Sequence, residues 1–342
     1  MLKAILTVFV FASAGLAQSF PGGPVSLLQS KDLNLFLSPV QVRPADGFYL
    51  EAGALGRDVV PHAPLSSLTI TKVVQEVDLT FTVTDHRGHF VRNLTPSDFT
   101  IRDNGASPER LTYFERQSEL PLRLAIVVDS SDSVTFVFDY EKKVAAAFIK
   151  RILRRGSDLA LAIGFNQEVR LVQDLTGDNN LLSRAIRQLG GGGQTALYDA
   201  VSAASQQLAR VKDTQTARRA IILITDGEDN SSHVNLEQAE ELAQRNECTV
   251  HVVSTNPATG RALEPSDRAM KELSQVTGGN FLHADTEQAL EIAFSKIDKE
   301  LRSQYLISYK PSNVSRDGSF HQLVVLGPEK LRIHHRAGYF AR

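Results

Sequence analysis

This chain of 342 residues has a single cysteine, Cys248. An intrachain disulfide is therefore excluded, and with it the class of small domains stapled by cystines. Cys248 opens the apolar run CTVHVVST, the setting of a small buried hydrophobe rather than of a reactive thiol. An excess of charge is lacking too. The 37 Lys and Arg residues against 39 Asp and Glu leave a net charge of −2, and no basic run stands out. A general nucleic-acid surface or a polybasic membrane patch is excluded by that balance. A nucleotide loop is missing, because Gly190–Gly193 are followed by Gln194 and not by Lys and Ser or Thr. The aromatic residues of GHF, AIGF and AGYF read as core and not as a stacking platform. The pair His334-His335 cannot share an ion on a strand, where neighbours face opposite ways. Long apolar runs are missing as well. The stretch from Ala4 to Leu16 is too short to span a hydrocarbon core of about 30 Å as a helix. Lys3 precedes it and Gly15-Leu16-Ala17 closes it, the pattern of an export signal over residues 1–17. No cysteine follows it, so a lipid-anchored form is not suggested.

What is present fits a water-soluble globular chain, with 42% hydrophobic and 22% charged residues and length for one large or two modest domains. Residues 18–66, rich in Pro, Gly, Ser and Leu, read as an extended leader. Residues 67–118 hold short alternating segments, VDLTFTVTD, FTIRD and RLTYFER, the mark of an antiparallel β unit too small to stand alone. From Leu122 the pattern changes. LRLAIVVD and RRAIILITD are continuous apolar runs, as in strands covered on both faces, and helical segments alternate with such strands. In FDYEKKVAAAFIKRI the residues Val144, Phe148 and Ile152 form one helical stripe. The expectation is an α/β fold, a doubly wound and mainly parallel sheet with helices on both faces. Three further strands, 304–311, 320–327 and 330–340, belong to no βα unit. The last two are separated only by Pro328 and Glu329, the spacing of a hairpin. These strands are predicted to pack with residues 67–118 as one discontinuous β-sandwich, with the α/β domain inserted between its halves.

Ligand sites in such sheets lie outside the carboxyl ends of the strands. Asp129 ends one strand and is followed by Ser130, Ser131, Asp132 and Ser133; Asp226 ends another; Thr195 follows the glycine run. Taken singly, these are a polar turn, a turn at Asp226-Gly227 and a helix N-cap at Thr195. Taken together, Asp129, Ser131, Ser133, Thr195 and Asp226 are hard oxygen donors on three loops at one sheet edge, suited to Mg²⁺, Mn²⁺ or Ca²⁺. Asp229 is expected beside them.

These motifs resemble the von Willebrand factor A-type domain with its metal-ion-dependent adhesion site. Asp129, Ser131 and Ser133 match its D-x-S-x-S element, Thr195 its lone threonine, and Asp226 its T-D-G aspartate. With the flanking strands, the chain resembles the exported VWFA-related proteins of acidobacteria. The resemblance to the A-type domain covers roughly residues 121–300, and the chain is expected to divide into a signal peptide over 1–17, a leader over 18–66, sandwich halves over 67–118 and 304–342, and the A-type domain over 119–303. The resemblance also implies a Mg²⁺ (or Mn²⁺/Ca²⁺) site that captures an Asp or Glu of a partner protein, in the periplasm or outside the cell, with no nucleic acid and no stable membrane span in the mature chain. Position 132 is Asp where the family more often has Gly. A non-enzymatic binding module is the expectation. The alternatives are a metal-dependent hydrolase or phosphatase, and a scaffold with a vestigial metal site. Ser131 as a nucleophile has only His233 near it as a base, and a two-aspartate phosphatase would place Asp at position 131.

Overall fold

A computed structural model describes residues 76–116, 120–134, 138–211, 217–256, 263–313 and 317–341. The signal segment, the leader and residues 67–75 lie outside the described residues. The central sheet has six strands in the order β6(Val169–Thr176), β5(Leu159–Phe165), β4(Leu122–Asp129), β7(Arg218–Thr225), β8(Cys248–Ser254) and β9(Phe281–His283). All pairings are parallel except β5 with β6. The continuous apolar runs are explained by the cover on each side. From β4, Leu124, Ile126 and Val128 face α1(Phe138–Ile152), α2(Asn179–Arg187) and α6(Glu287–Leu301). Ala125 and Val127 face α3(Leu197–Ala209), α4(Leu236–Arg245) and α5(Pro265–Thr277). Each fully buried Leu, Ile, Val or Phe side chain contributes about 1.5–3 kcal/mol by leaving water. Cys248 is one of them in practice, buried, with its thiol pushed up to about 12 by that burial.

The flanks form two antiparallel sheets. One has the order β12(Arg332–His335), β1(Val77–Thr84), β10(Gln304–Lys310), β3(Arg110–Arg116); the other is β13(Gly338–Phe340), β11(Phe320–Leu326), β2(Thr100–Asp103). Every strand of the amino-terminal set is paired in these sheets with strands from the carboxyl-terminal end: β1 with β10 and β12, β3 with β10, and β2 with β11. The antiparallel unit read in residues 67–118 is therefore not self-paired. The hairpin spacing at Pro328-Glu329 also misleads. β12 crosses to the other sheet to pair with β1, and β11 takes β13 as its neighbour, with Phe320 opposite Phe340. The reason lies in the side chains. Leu323, Val325 and Tyr339 turn inward from one sheet and Leu79, Phe81, Tyr305, Ile307 and Tyr309 from the other, so one core closes only when the two sheets stack. Phe81 and Tyr305 stack with ring centroids 5.5 Å apart, and Phe99 meets Phe81 edge-on at 4.8 Å.

The sandwich is joined to the amino edge of the parallel sheet. Arg218, at the start of β7, donates to Leu301 O, to Gln304 Oε1 at 3.1 Å and to Leu120 O at 3.1 Å. Burial pulls its guanidinium down to about 9. Ala337 N donates to Val276 O at 3.1 Å, and Arg245 lies over the Phe340 ring at 4.1 Å. The opposite, carboxyl edge of the sheet carries the candidate residues.

Candidate functional site

Asp129 is the last residue of β4 and has no exposed surface. Its Oδ2 accepts from Thr225 Oγ1 at 2.6 Å and its Oδ1 from Ser131 N at 2.9 Å. Burial pushes the carboxyl up to about 6; the Thr225 and Ser131 bonds act against that, and the charge of Asp226 adds to it. The Thr225 hydroxyl also accepts from Gly227 N at 2.9 Å, which fixes the turn after β7. The four residues after Asp129 divide by side. Ser130 turns inward and its hydroxyl donates to Phe165 O at 2.8 Å, so it is a structural residue. Ser131 and Ser133 share the other side, with their hydroxyl oxygens 3.0 Å apart. Ser131 is buried and Ser133 exposed. The exposed Asp132 donates its amide to Gly193 O at 3.0 Å.

That last bond is half of a stitch between two loops; the other half is Gly192 N on Ser130 O at 2.7 Å. Gly192 and Gly193 have φ of 122° and 97°, where a side chain would be strained, so glycine is required for this approach. Thr195 follows, 2% exposed. Its amide donates to Asn230 Oδ1 at 2.9 Å, and its carbonyl accepts from Asn230 N and Ser231 N, each at 3.0 Å. Its hydroxyl makes no hydrogen bond among the described residues. The helix-capping role that the sequence offers Thr195 falls instead to Asp229, whose Oδ1 accepts from Leu197 N at 2.8 Å. Asp226 is 9% exposed; its Oδ1 accepts from Glu228 N at 3.2 Å and its carbonyl from Asn256 Nδ2 at 2.6 Å.

Asp129, Ser131 and Ser133 thus form one bonded run. Asp226 is adjacent through Thr225, and Thr195 is tied in through the glycine loop and Asn230. A cavity of 340 Å³ opens above, with Ser133, Gln167, Gln194, Thr195, Glu228 and Asn230 among its walls. Among the described residues no three His, Cys, Asp or Glu side chains converge on one metal point. Hydroxyl oxygens would have to complete any coordination here. His334 and His335 are engaged separately, His334 Nε2 with Gly279 O at 2.7 Å and His335 Nδ1 with Arg336 O at 2.7 Å. His233 is paired with Asp199, at 2.8 Å, and not with Ser131.

Four residues at this edge escape a motif reading: Thr225, Asn230, Asn256 and Glu141. The first three act through geometry that spacing does not encode. Glu141 left a signal, since it stands three residues before Val144 and so on the apolar stripe of α1.

Residues 124–228 match the von Willebrand factor type A domain family. Among curated proteins, calcium-activated chloride channel regulator 1 of Bos taurus is 26% identical over 162 residues, 45% of this chain and 16% of that protein. An uncharacterized protein of Borreliella burgdorferi is 23% identical over 228 residues, 59% of this chain and 64% of its own length. This chain therefore spans less than two thirds of either relative. Among solved structures, a von Willebrand factor type A protein from Catenulispora acidiphila has a TM-score of 0.47 and 13% identity, covering 78% of this chain and 74% of that one.

Proposed function

The chain carries a von Willebrand factor type A domain, and from that premise we propose that it is an adhesion-type protein-interaction module, exported to the periplasm or beyond. In this reading Asp129, Ser131, Ser133, Thr195 and Asp226 hold one Mg²⁺ (or Mn²⁺ or Ca²⁺), and the site captures an Asp or Glu side chain of a partner protein. The observation that carries it is the state of the donors. Asp129 is buried whole at a sheet edge, the Ser131 and Ser133 hydroxyls lie 3.0 Å apart, and Thr195, on the wall of the cavity, has a hydroxyl that makes no hydrogen bond among the described residues. All five side chains offer hard oxygens, which fit a hard cation and not a soft one. When bound, the ion would supply an open coordination position for a carboxylate. This chain's residues do the rest. Thr225 and the Ser131 amide hold Asp129 in place, Asn230 holds the Thr195 loop, and Asn256 holds the Asp226 carbonyl.

No described helix is long and apolar enough to cross a membrane.

The test is thermal melting with and without cation. A ligand that binds only the native state adds about 2.7 kcal/mol at a hundredfold excess over Kd. Millimolar Mg²⁺ or Mn²⁺ should raise the melting temperature of the wild type and leave Asp129→Ala unmoved. Equal shifts in the two proteins would discard the site. Partner capture on resin should fail in EDTA, and equally with Asp129→Ala.

A further inference from the structure

The turn that carries Asp226 rests on the first turn of α5. Gly227 has a φ of 81°, and a Cβ there would meet Met270 Cγ at 3.0 Å and the Ser266 carbonyl carbon at 3.4 Å. The Asp226 carbonyl accepts from Asn256 Nδ2 at 2.6 Å, and the same nitrogen donates to Asp267 Oδ1 at 3.1 Å. Asp267 lies in the first turn of α5 and is 2% exposed. Its Oδ1 also accepts from Ser254 Oγ, at the end of β8, at 2.7 Å, and that hydroxyl accepts from Asn256 N at 3.3 Å. His283 Nε2, on β9, stands 3.7 Å from Asp267 Oδ2.

These partners leave the Asn256 side chain one orientation. A carbonyl and a carboxylate are both acceptors, so only the amide nitrogen can face them together. A buried carboxylate is costly unless its oxygens are met, and Asp267 has two donors and the amino end of a helix. The Ser254 bond alone is enough to pin the end of β8 to α5. Asn256 adds something different, a reach across to the turn after β7. By holding the Asp226 carbonyl it fixes the plane of the peptide that follows Asp226, and with it the direction in which the carboxylate leaves the backbone. Glu228 N on Asp226 Oδ1 at 3.2 Å holds the same residue by its side chain.

We propose that Asp267 is a positioning residue of the cation site: through Asn256 it aims Asp226, so that the seating of α5 sets the affinity for a divalent cation. The inference rests on the cation reading above. It adds a determinant outside the five motif residues, on a helix to which none of them belongs. It also makes the coupling mutual, because a cation favoured by the seated helix must favour the seated helix in return.

The experiment titrates full-length wild type, Asp267→Leu, Asp267→Asn, Asn256→Leu and the Asp267→Leu/Asn256→Leu double variant with Mn²⁺ by calorimetry. Loss of an outer group that orients a ligand lowers metal affinity by about 10–100-fold. Asp267→Leu and Asn256→Leu should each lose affinity in that range. The double variant should lose no more than the larger single loss, since both changes cut one chain of contacts. Asp267→Asn keeps an acceptor for Ser254 and Asn256 and should stay close to wild type. Asp158→Asn controls for lost stability: Asp158 is a buried acid at the amino edge of the sheet that accepts from Leu122 N and Arg302 Nη2, and its change should leave affinity unaltered. Wild-type affinity in Asp267→Leu overturns this inference alone. So do losses that multiply in the double variant, a loss in Asp267→Asn equal to that in Asp267→Leu, or an equal loss in Asp158→Asn. Should Asp267→Leu fail to fold, hydrogen exchange decides. Mn²⁺ should slow exchange of the Arg268 amide, bonded to Glu264 O at 3.0 Å, in the wild type and less in Asn256→Leu. Equal slowing in the two proteins, or none in a wild type that binds Mn²⁺, overturns the inference. A wild type that binds no Mn²⁺ overturns the cation reading and this inference with it.

Discussion

Two regions of this molecule bury carboxylates, and they treat them in opposite ways. In the sandwich core, Asp103 is 6% exposed and accepts from Tyr309 Oη at 2.9 Å and Tyr339 Oη at 2.8 Å, with His321 Nδ1 at 2.8 Å. At the carboxyl edge of the parallel sheet, Asp129 has two donors and Glu141 has none. A carboxylate whose lone pairs are met by protein donors is part of the scaffold. One left unmet in a protein interior points to a ligand that is not part of the chain. The sandwich therefore reads as structure, and the sheet edge is where the proposed site lies, although both are polar and both are buried.

The largest expected effect breaks the scaffold side of this comparison. Asp103→Ala strips the acceptor shared by Tyr309, Tyr339 and His321, three residues that come from three different strands. Removing one member of a buried charged network costs about 3–5 kcal/mol. Denaturant unfolding should show a loss of that size, and the shift in melting temperature on adding Mg²⁺ should stay as in the wild type. A loss below about 1 kcal/mol would mean that Asp103 is no more a scaffold residue than Glu141.

The two regions also differ in how far sequence reveals them. The α/β part is built of neighbours in the chain, so each apolar strand and each helical stripe announces itself, and Asp129 and Asp226 stand where such strands end. Its motif residues are legible because they follow fixed spacings on short loops. The sandwich is different. Tyr305 lies between Phe81 and Phe114, whose strands are about two hundred residues away in the chain, and nothing local says that β10 will separate β1 from β3. The orphan strands could be expected to meet, yet their order could not. The Pro328-Glu329 spacing suggested a hairpin because turn length is a local signal, while the pairing that forms is set by which faces are apolar. Glu141, on the apolar stripe of α1, left only a faint signal for a related reason. A single acid on a helical stripe looks like a solvated position until the fold shows what covers it.

Between these extremes sits Glu300, near the end of α6, 2% exposed and accepting from Asn280 Nδ2. Burial pushes it up to about 8, with Lys296 acting against the shift. A carboxyl raised in the folded state contributes stability that is complete below its unfolded value, near 4.5, and is lost as pH rises through the folded one. Buried His251, pulled down to about 3 by burial and by His334, has the opposite sign, and its contribution is lost as pH falls from about 6.5. Comparing Glu300→Gln with wild type cancels His251 and isolates the acid. The variant should gain on the wild type steadily between pH 4.5 and 8, by at most about 1.4 kcal/mol per pH unit, and hold level above that. A difference independent of pH would show that one amide donor is enough to make Glu300 a scaffold carboxylate like Asp103.

The smallest effect on stability is expected at the proposed site, where Thr195→Ala removes a hydroxyl that bonds to nothing among the described residues. The backbone bonds that hold this loop, from Thr195 N to Asn230 Oδ1 and from Asn230 N and Ser231 N to Thr195 O, do not involve the side chain. The lost hydroxyl leaves no protein donor or acceptor unmet, so the melting temperature in EDTA should fall by no more than an ordinary surface substitution, within about 0.5 kcal/mol. The response to cation should nonetheless shrink, because that hydroxyl is one of three that the proposed site has to draw on. Asp103→Ala should show the reverse pattern, a large loss in EDTA and an intact response to Mg²⁺. If Thr195→Ala instead lowered stability in EDTA and kept the full response, the hydroxyl would be a packing group, and the division between scaffold and proposed site would have to be redrawn without it.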